Sequence, residues 1–371
     1  MYIDSLKLIN YRNYDNLHVE FNKDINLIVG KNGQGKTNIV ESLTLMSIGK
    51  SFRSSKDKEI IKFGKDNLYC GCTFLKNGLG KKIEVMVTKD KKGIKVNGVS
   101  IKSIQELLGT LNVVVFSPED LKLVKDGPKE RRGFIDREIS QIMPRYYSNL
   151  TMYNKTINQR NKVLKSNKID HNLLDVYDEH LSLYGSEIYS TRMKFIEKLS
   201  KISNKLHNSL TSNSENMSII YKSQINITED DTVDTIKDKM DVKLKDSREH
   251  DIFYRSTKIG PHRDDLSIFV NDIDVRLYGS QGQQRTVSIS LKLSEIELIK
   301  QELGDYPVLI LDDVFSELDQ TRQRMLVEKL GDIQMFVTSA DPLHKNILGK
   351  KNYTIFNIEE GKIVDIENGG K

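Results

Sequence analysis

Residues 30–37 read GKNGQGKT, which puts Gly30, Gly35, Lys36 and Thr37 at the fixed positions of G-x-x-x-x-G-K-[ST]. The chemistry of such a loop is phosphate binding. Glycines let backbone N–H groups point inward at phosphate oxygens, and the helix that follows adds the positive end of its dipole. The expected nucleotide contacts are Gly30, Lys31, Asn32, Gly33, Gln34, Gly35, Lys36, Thr37 and Asn38. Lys36 reaches the β- and γ-phosphates, and the Thr37 hydroxyl is a ligand for Mg²⁺. The flanks suit the motif: apolar INLIV (25–29) reads as a strand, and NIVESLTLMSI (38–48) has helical spacing.

A second stretch supplies carboxylates. In YPVLILDDVFSELD (306–319) an apolar run ends in Asp312 and Asp313. A buried strand that delivers an acid to its C-terminal edge puts it where open parallel sheets bind nucleotides. Asp312 is the candidate metal holder, together with Thr37, and Asp313 the group that orients or deprotonates water. Alone, the two acids fit a solvated turn equally well. With the phosphate loop in the same chain they indicate ATP or GTP binding with hydrolysis.

A third stretch, GSQGQQR (279–285), opens the helical run TVSISLKLSEIELIK. A glycine-bearing turn at a helix start is another N–H-lined phosphate site. One γ-phosphate does not need two cradles from one chain. If the second serves a neighbouring copy, nucleotides join two subunits.

These residues require a scaffold. The chain has 371 residues, 37 % hydrophobic and 29 % charged, enough for one large or two ordinary domains. No run approaches the ~18 apolar residues of a membrane span. No secretory signal is visible in MYIDSLKLINYRNY, and the only cysteines, Cys70 and Cys72, read as reduced thiols in a strand, so a cytoplasmic location is expected. A net charge of +5 hints at a polyanionic partner without establishing one. Short strand patterns fill the first hundred residues: YIDSLKLINY alternates loosely, KIEVMVT and GIKVNG read as a hairpin, and NVVVFS (112–117) is a buried strand. From about residue 119 to 210 apolar residues recur three or four apart, the helical period. Strand character returns at LSIFVNDIDVRLYG and YPVLILDD. The simplest organisation is an α/β domain built from residues 1–117 and 250–371, with a mainly helical insertion over 118–249.

The basic clusters divide between two readings. Lys129, Arg131 and Arg132 in PKERRGFID either grip DNA phosphates or are salt-bridged within their helix by Glu130, Asp136 and Glu138. Lys50, Arg53, Lys56 and Lys58 in KSFRSSKDKE are a phosphate-backbone contact or a solvated loop. His262 and Arg263 in GPHRDD sense phosphate or hold a turn together with Asp264 and Asp265.

The set as a whole resembles a known family. SQGQ is similar to a variant of the ABC signature, whose serine and glycine cap the γ-phosphate of the opposing subunit. DDVFSELD is similar to a Walker B strand followed by a D-loop. Together they resemble the SMC-like branch of ABC ATPases. Within that branch YRNY (11–14), FSPEDL (116–121), GPKERRGFIDREI (127–139), IGPHRDDL (259–266), GSQGQQR and LILDDVFSELD are similar to the RecF family of bacterial recombination mediators. The resemblance covers both chain ends and is weakest through 150–250.

The resemblance implies an α/β, ABC-type P-loop ATPase head with an inserted helical lobe. It implies ATP and Mg²⁺, a head-to-tail homodimer formed on ATP, and duplex DNA bound at single-strand gaps and ssDNA–dsDNA junctions. The implied mediator partners are RecR and RecO, and slow, DNA-stimulated hydrolysis resets the clamp. Residue by residue, Lys36 and Thr37 match Walker A, Asp312 Walker B, Ser280 and Gly282 with Gln283 the signature, and Asp319 the D-loop acid. Arg12 and Asn13 match the N-terminal segment near the nucleotide.

There are departures. Asp313 stands where ABC ATPases usually carry a catalytic glutamate. FVTSAD (336–341) lacks the switch histidine, leaving Thr338 or Ser339 as weak phosphate contacts, and SPED has no glutamine for a Q-loop. Two rival readings follow: a transporter-type subunit coupled to a membrane partner, and a non-catalytic scaffold that dimerises on ATP.

Overall fold

The loose alternation of the first strand has a local cause. In β1 (Tyr2–Tyr11) the buried positions are Ile3, then Leu6 and Leu8, then Tyr11, and the register against its neighbour shifts between Ile3 and Ser5. One extra residue at a bulge changes which parity faces the core. The computed structural model describes residues 1–54, 56–315, 323, 330, 332–340 and 351–370. These fall into two units, Met1–Asp120 with Ile299–Lys371, and Leu121–Leu298.

In the first unit β1, β2 (Tyr14–Glu20), β4 (Asn67–Lys76), β5 (Leu79–Thr88), β6 (Lys92–Val96) and β7 (Val99–Ser100) form an antiparallel sheet in the order β2-β1-β4-β5-β6-β7. A second sheet has the order β15-β14-β3-β13-β12-β8, from β3 (Ile25–Val29), β8 (Val113–Phe116), β12 (Val308–Asp312), β13 (Met335–Ser339), β14 (Tyr353–Glu359) and β15 (Lys362–Gly369). It is parallel except for β15. Helix α1 (Lys36–Ile48) shares one core with both sheets: Ile39, Val40, Leu43 and Met46 pack in the same cluster as Leu6, Cys70, Val85, Ile310 and Phe336. A helix covered on two sides has no solvent face, and residues 39–47 are all buried, Glu41, Ser42, Thr44 and Ser47 included. A short α2 (Ile104–Leu107) follows the first sheet. Cys70 and Cys72 are free and buried in β4, and burial raises both thiols, Cys72 to about 12.

The second unit holds α3 (Lys122–Lys125), α4 (Pro128–Ile142), α5 (Pro144–Leu164), α6 (His171–Leu210), α7 (Val233–Asp246), α8 (Arg248–Tyr254), α9 (Val275–Tyr278) and the start of α10 (Gln281–Leu303). Three strands accompany them, β9 (Met217–Lys222), β10 (Asp265–Val270) and β11 (Ile273–Asp274), in the order β11-β10-β9. The helical period resolves into a hairpin of α5 and α6, the latter one 40-residue helix. The sequence returns the chain to the ATPase lobe at residue 250, whereas residues up to Leu298 group with the helical unit. The reason is strand pairing: β10 lies antiparallel on β9, with Ile268 opposite Ile219. An alternating pattern identifies a strand but not the sheet it joins. The stretch VRLY is a helical turn because Asp274 accepts hydrogen bonds from the amides of Arg276 and Leu277.

Candidate nucleotide site

The site lies at the C-terminal ends of β3, β13 and β12, which are adjacent and parallel. Leaving β3, the chain turns through the glycine loop and enters α1 with Gly35 at φ 112°. A side chain at Gly35 would be strained there, and its Cβ would lie 2.5 Å from Asn13 Nδ2. Lys36 is buried, and its Nζ donates to the carbonyls of Gly30 (2.7 Å) and Lys31 (3.1 Å), which holds the ammonium against the loop. Lys31, Asn32 and Gly33 are exposed at its tip.

The two acids are placed by Thr338, which from sequence alone is only a weak phosphate contact. Thr338, on the strand between β3 and β12, donates to Asp312 Oδ1 (2.7 Å) and accepts from the Asp313 amide (3.0 Å). Thr37 Oγ1 donates to the same Asp312 oxygen at 3.0 Å. Asp312 is 7 % exposed. Burial raises its pKa, while the Thr338 and Thr37 hydrogen bonds pull it down and the neighbouring Asp313 charge pushes it up. Asp313, the residue after β12, sits at φ 54°, a left-handed backbone conformation uncommon for a residue other than glycine. Ser339 takes part through its carbonyl, which accepts from the Gly30 amide at 3.3 Å.

The YRNY segment clamps the loop from outside. Asn13 Nδ2 donates to Gln34 O (2.9 Å), its Oδ1 accepts from Asn38 Nδ2 (2.8 Å), and Tyr14 OH donates to Gly35 O (3.1 Å). Arg12 is committed elsewhere. Its Nε and Nη2 form a fork on Glu41, at 3.0 and 2.5 Å, and Nη1 donates to Glu59 O. Glu41 is fully buried in α1 and also accepts from Ser51. Glu41 is the only acid in α1, which is the sequence signal for such a partner.

The GSQGQQR turn caps α10. Ser280 Oγ accepts from the Gln283 amide (3.2 Å) while Gln283 Oε1 accepts from the Ser280 amide (3.0 Å), a reciprocal capping box. Ser280 and Gly282 are exposed. Gln283 Nε2 donates to Glu215 Oε1 at 2.9 Å. Asp319 lies outside the described residues.

The basic candidates separate sharply. Lys50, Arg53, Lys56 and Lys129 are exposed, and Arg53 Nη1 also donates to Asn38 Oδ1 at 3.2 Å. Arg131 is not a surface cation. Its side chain is 4 % exposed, forks onto Asp265 at 2.7 and 2.9 Å, and donates to the Leu123 and Asp126 carbonyls. Arg132 is half-buried and donates to Asp264 O at 2.6 Å, with burial the largest influence lowering its pKa. Both corrections have one cause: α4 packs against the GPHRDD turn and β10, so cations that looked free on a helix meet acids from far along the chain. Their hydrogen-bonded partners are Asp265 and the Asp264 carbonyl, not the in-helix acids Glu130, Asp136 and Glu138 of the second sequence reading. His262 likewise sits inside this network, Nδ1 on Tyr153 OH (2.8 Å) and Nε2 on Thr257 O (3.3 Å), and Arg263 donates to Thr257 O.

Thr37 and Asp312 are two oxygen donors side by side, a set that suits a hard cation completing its shell with phosphate and water oxygens. Among the described residues no group of three or more His, Cys, Asp or Glu could hold a metal by itself.

The family model "RecF/RecN/SMC N terminal domain" matches residues 2–363. A curated protein of Clostridioides difficile (strain 630), "DNA replication and repair protein RecF", is 60 % identical over 370 residues, covering 100 % of both chains. The chain belongs to the RecF family of DNA replication and repair proteins. A second RecF, from Clostridium perfringens (strain SM101 / Type A), is 44 % identical over 100 % of this chain and 99 % of its own length. A solved structure, "Structure of the recombination mediator protein RecF-ATP in RecFOR pathway", is 37 % identical, superposes with TM-score 0.91, and covers 100 % of this chain and 98 % of that one. The fold is therefore the SMC-like ABC ATPase head with the additional helical unit of RecF. Membership favours the repair reading over the transporter reading, and no helix among the described residues is long and apolar enough to cross a membrane.

Proposed function

We propose that this RecF-family chain is an ATP-gated DNA clamp of recombination and repair. The observation that carries the reading is the convergence of Lys36, Thr37, Asp312 and Asp313 at adjacent parallel strand ends, with Thr338 locking the two acids. Backbone amides of Gly33–Asn38 hold the phosphates and Lys36 swings from the loop carbonyls to the β- and γ-phosphates. Thr37 and Asp312 would hold Mg²⁺, whose charge would offset that of the phosphates. Asp313 orients the attacking water and accepts its proton. A carboxylate one methylene shorter than glutamate suits slow turnover.

Ser280, Gly282 and Gln283 cap the γ-phosphate held by a second copy, so two nucleotides hold a head-to-tail dimer, and Asp319 belongs to the same interface. Arg12 and Asn13 act on the nucleotide indirectly, by fixing α1 and the loop. Lys50, Arg53, Lys56 and Lys129 are the DNA-contact residues retained. The clamp binds duplex DNA at gaps and ssDNA–dsDNA junctions, works in the cytoplasm with RecR and RecO, and promotes recombinase loading. The similarity to RecF proteins supports these assignments.

The test is phosphate release with and without duplex DNA. Turnover raised by DNA supports the clamp. Turnover indifferent to DNA argues against DNA gating, and no turnover with ATP bound favours the non-catalytic scaffold.

A further inference from the structure

The hairpin turn Glu360–Gly361 lies against the phosphate loop. It joins β14 to β15 with Glu359 paired to Lys362, so two residues make the whole connection. Both have positive φ, 46° at Glu360 and 72° at Gly361, the type I′ pattern that suits the twist of a hairpin. Asn or Asp is the usual first residue of such a turn, and glutamate is seldom left-handed.

Gln34 holds the turn at two points. Its Oε1 accepts from the Glu360 amide (2.5 Å), and its carbonyl accepts from the Gly361 amide (3.1 Å). The same carbonyl accepts from Asn13 Nδ2 at 2.9 Å. Gly361 has no room for a side chain: a Cβ there would lie 2.8 Å from Asn13 O and 3.0 Å from Asn13 Nδ2. The strands beneath are neighbours. β14 runs parallel to β3 with Asn357 opposite Val29, the residue before Gly30.

The consequence lies in one peptide plane. In a planar trans peptide the C=O and N–H point in opposite directions. Two donors fix the Gln34 carbonyl on the outer side of the loop. The N–H of the same peptide unit belongs to Gly35, and it is turned the opposite way, to the phosphate side. Successive inward amides are what make such a loop an anion cradle.

We propose that the Glu360–Gly361 turn is a positioning element for nucleotide binding, acting through Gln34 to keep the Gly35 amide aimed at the phosphates. The proposal rests on the reading of the phosphate loop as a nucleotide site. The Gln34 side chain is then a brace and not a nucleotide contact, and the turn that sets the affinity begins 326 residues after it. An amide that meets phosphate acts on bare triphosphate as on ATP. It acts on bound substrate and transition state alike, so its loss raises KM and spares kcat.

The test uses the full-length chain with ATP and inorganic tripolyphosphate. Gly361→Asn keeps the positive φ, which asparagine tolerates, but puts a Cβ against Asn13. Gln34→Met keeps the length of the side chain and removes its acceptor. Loss of one hydrogen bond changes an affinity by a factor of roughly 2 to 13. Each substitution should weaken ATP and tripolyphosphate by one common factor in that range, with kcat at saturating ATP retained. The two together should weaken ATP by less than the product of their separate factors, because both loosen one clamp. Unaltered affinity for both ligands in Gln34→Met, a loss confined to kcat, or full multiplication in the double variant overturns the proposal. Gln34→Met alone decides if Gly361→Asn does not fold. If the unsubstituted chain binds neither ATP nor tripolyphosphate, or Lys36→Ala binds both as well as the unsubstituted chain, the phosphate-loop reading fails first and takes the proposal with it.

Discussion

Gln283 and Glu215 form a hydrogen bond, Nε2 to Oε1 at 2.9 Å, that fixes which way the Gln283 amide faces. With Nε2 turned to Glu215, Oε1 is left for the Ser280 amide, and the cap of α10 is complete. The other Glu215 oxygen meets His207 Nε2 at 3.0 Å, and His207 Nδ1 meets Ser290 Oγ at 3.1 Å. The proposed signature turn is therefore held from behind by a polar chain within its own unit.

Glu215→Ala should loosen that turn without touching the phosphate loop. A hydrogen bond to a charged acceptor contributes about 1.5–3 kcal/mol, so ATP-dependent dimerisation should weaken roughly 10- to 100-fold. ATP affinity of the monomer should not change. Sedimentation with and without ATP, beside monomer ATP titration, checks this. An equal loss in both would mean Glu215 acts on the whole fold.

Thr338→Val should separate binding from turnover. The hydroxyl serves Asp312 and the Asp313 amide, and leaving buried polar groups unpaired costs about 1–3 kcal/mol. We expect kcat to fall about tenfold or more with ATP affinity near its original value, and Thr338→Ser to restore turnover. Steady-state kinetics with a parallel binding titration measures both. Unchanged kcat in Thr338→Val would show that the acids hold their places unaided.

How much of this could be read from residues alone follows from what fixes each feature. The phosphate loop and Asp312 were legible because backbone geometry demands those residue types at that spacing. The Thr338–Asp312 bond was not, because it depends on β13 lying between β3 and β12, and sheet order is not written in local pattern. Arg131 shows the same limit: its partner Asp265 arrives on β10 after several intervening helices. The capping role of Ser280 with Gln283 could have been read from the three-residue spacing, whereas the Glu215 tie could not.

Arg131→Ala should act on stability before DNA binding. Removing one partner of a buried ion pair costs about 3–5 kcal/mol. The exposed Lys129→Ala should leave the unfolding midpoint within experimental scatter and, if Lys129 meets a phosphate, lower the slope of log K against log salt by about 0.9. Denaturant melts and DNA titrations at several salt concentrations separate the two residues. A fully stable Arg131→Ala that loses DNA binding would restore Arg131 as a contact.

His262 makes the second unit acid-sensitive. Burial lowers its pKa to about 4, helped by the nearby Arg263, Arg132 and Arg192 charges, against 6.5 when unfolded. A depressed histidine pKa means the unfolded chain binds the proton first. Its contribution is present in full above the unfolded pKa and is lost as pH falls from about 6.5 towards about 4. Between pH 7 and pH 5 the loss is about 2 kcal/mol. His262→Gln should flatten that part of the stability profile in denaturant titrations. An equally steep profile in the variant would assign the acid sensitivity to other groups.

In the proposed function Asp313, next to Asp312, drives hydrolysis that releases an ATP-joined dimer. Asp313→Asn tests it directly, because the substitution keeps size and hydrogen bonding and removes the base. The measurement is ATP affinity, phosphate release and association state on one preparation. The expected result is ATP affinity as in the unsubstituted chain, phosphate release lost, and a dimer that persists with ATP. Phosphate release at the unsubstituted rate would contradict it and place the water-activating group elsewhere.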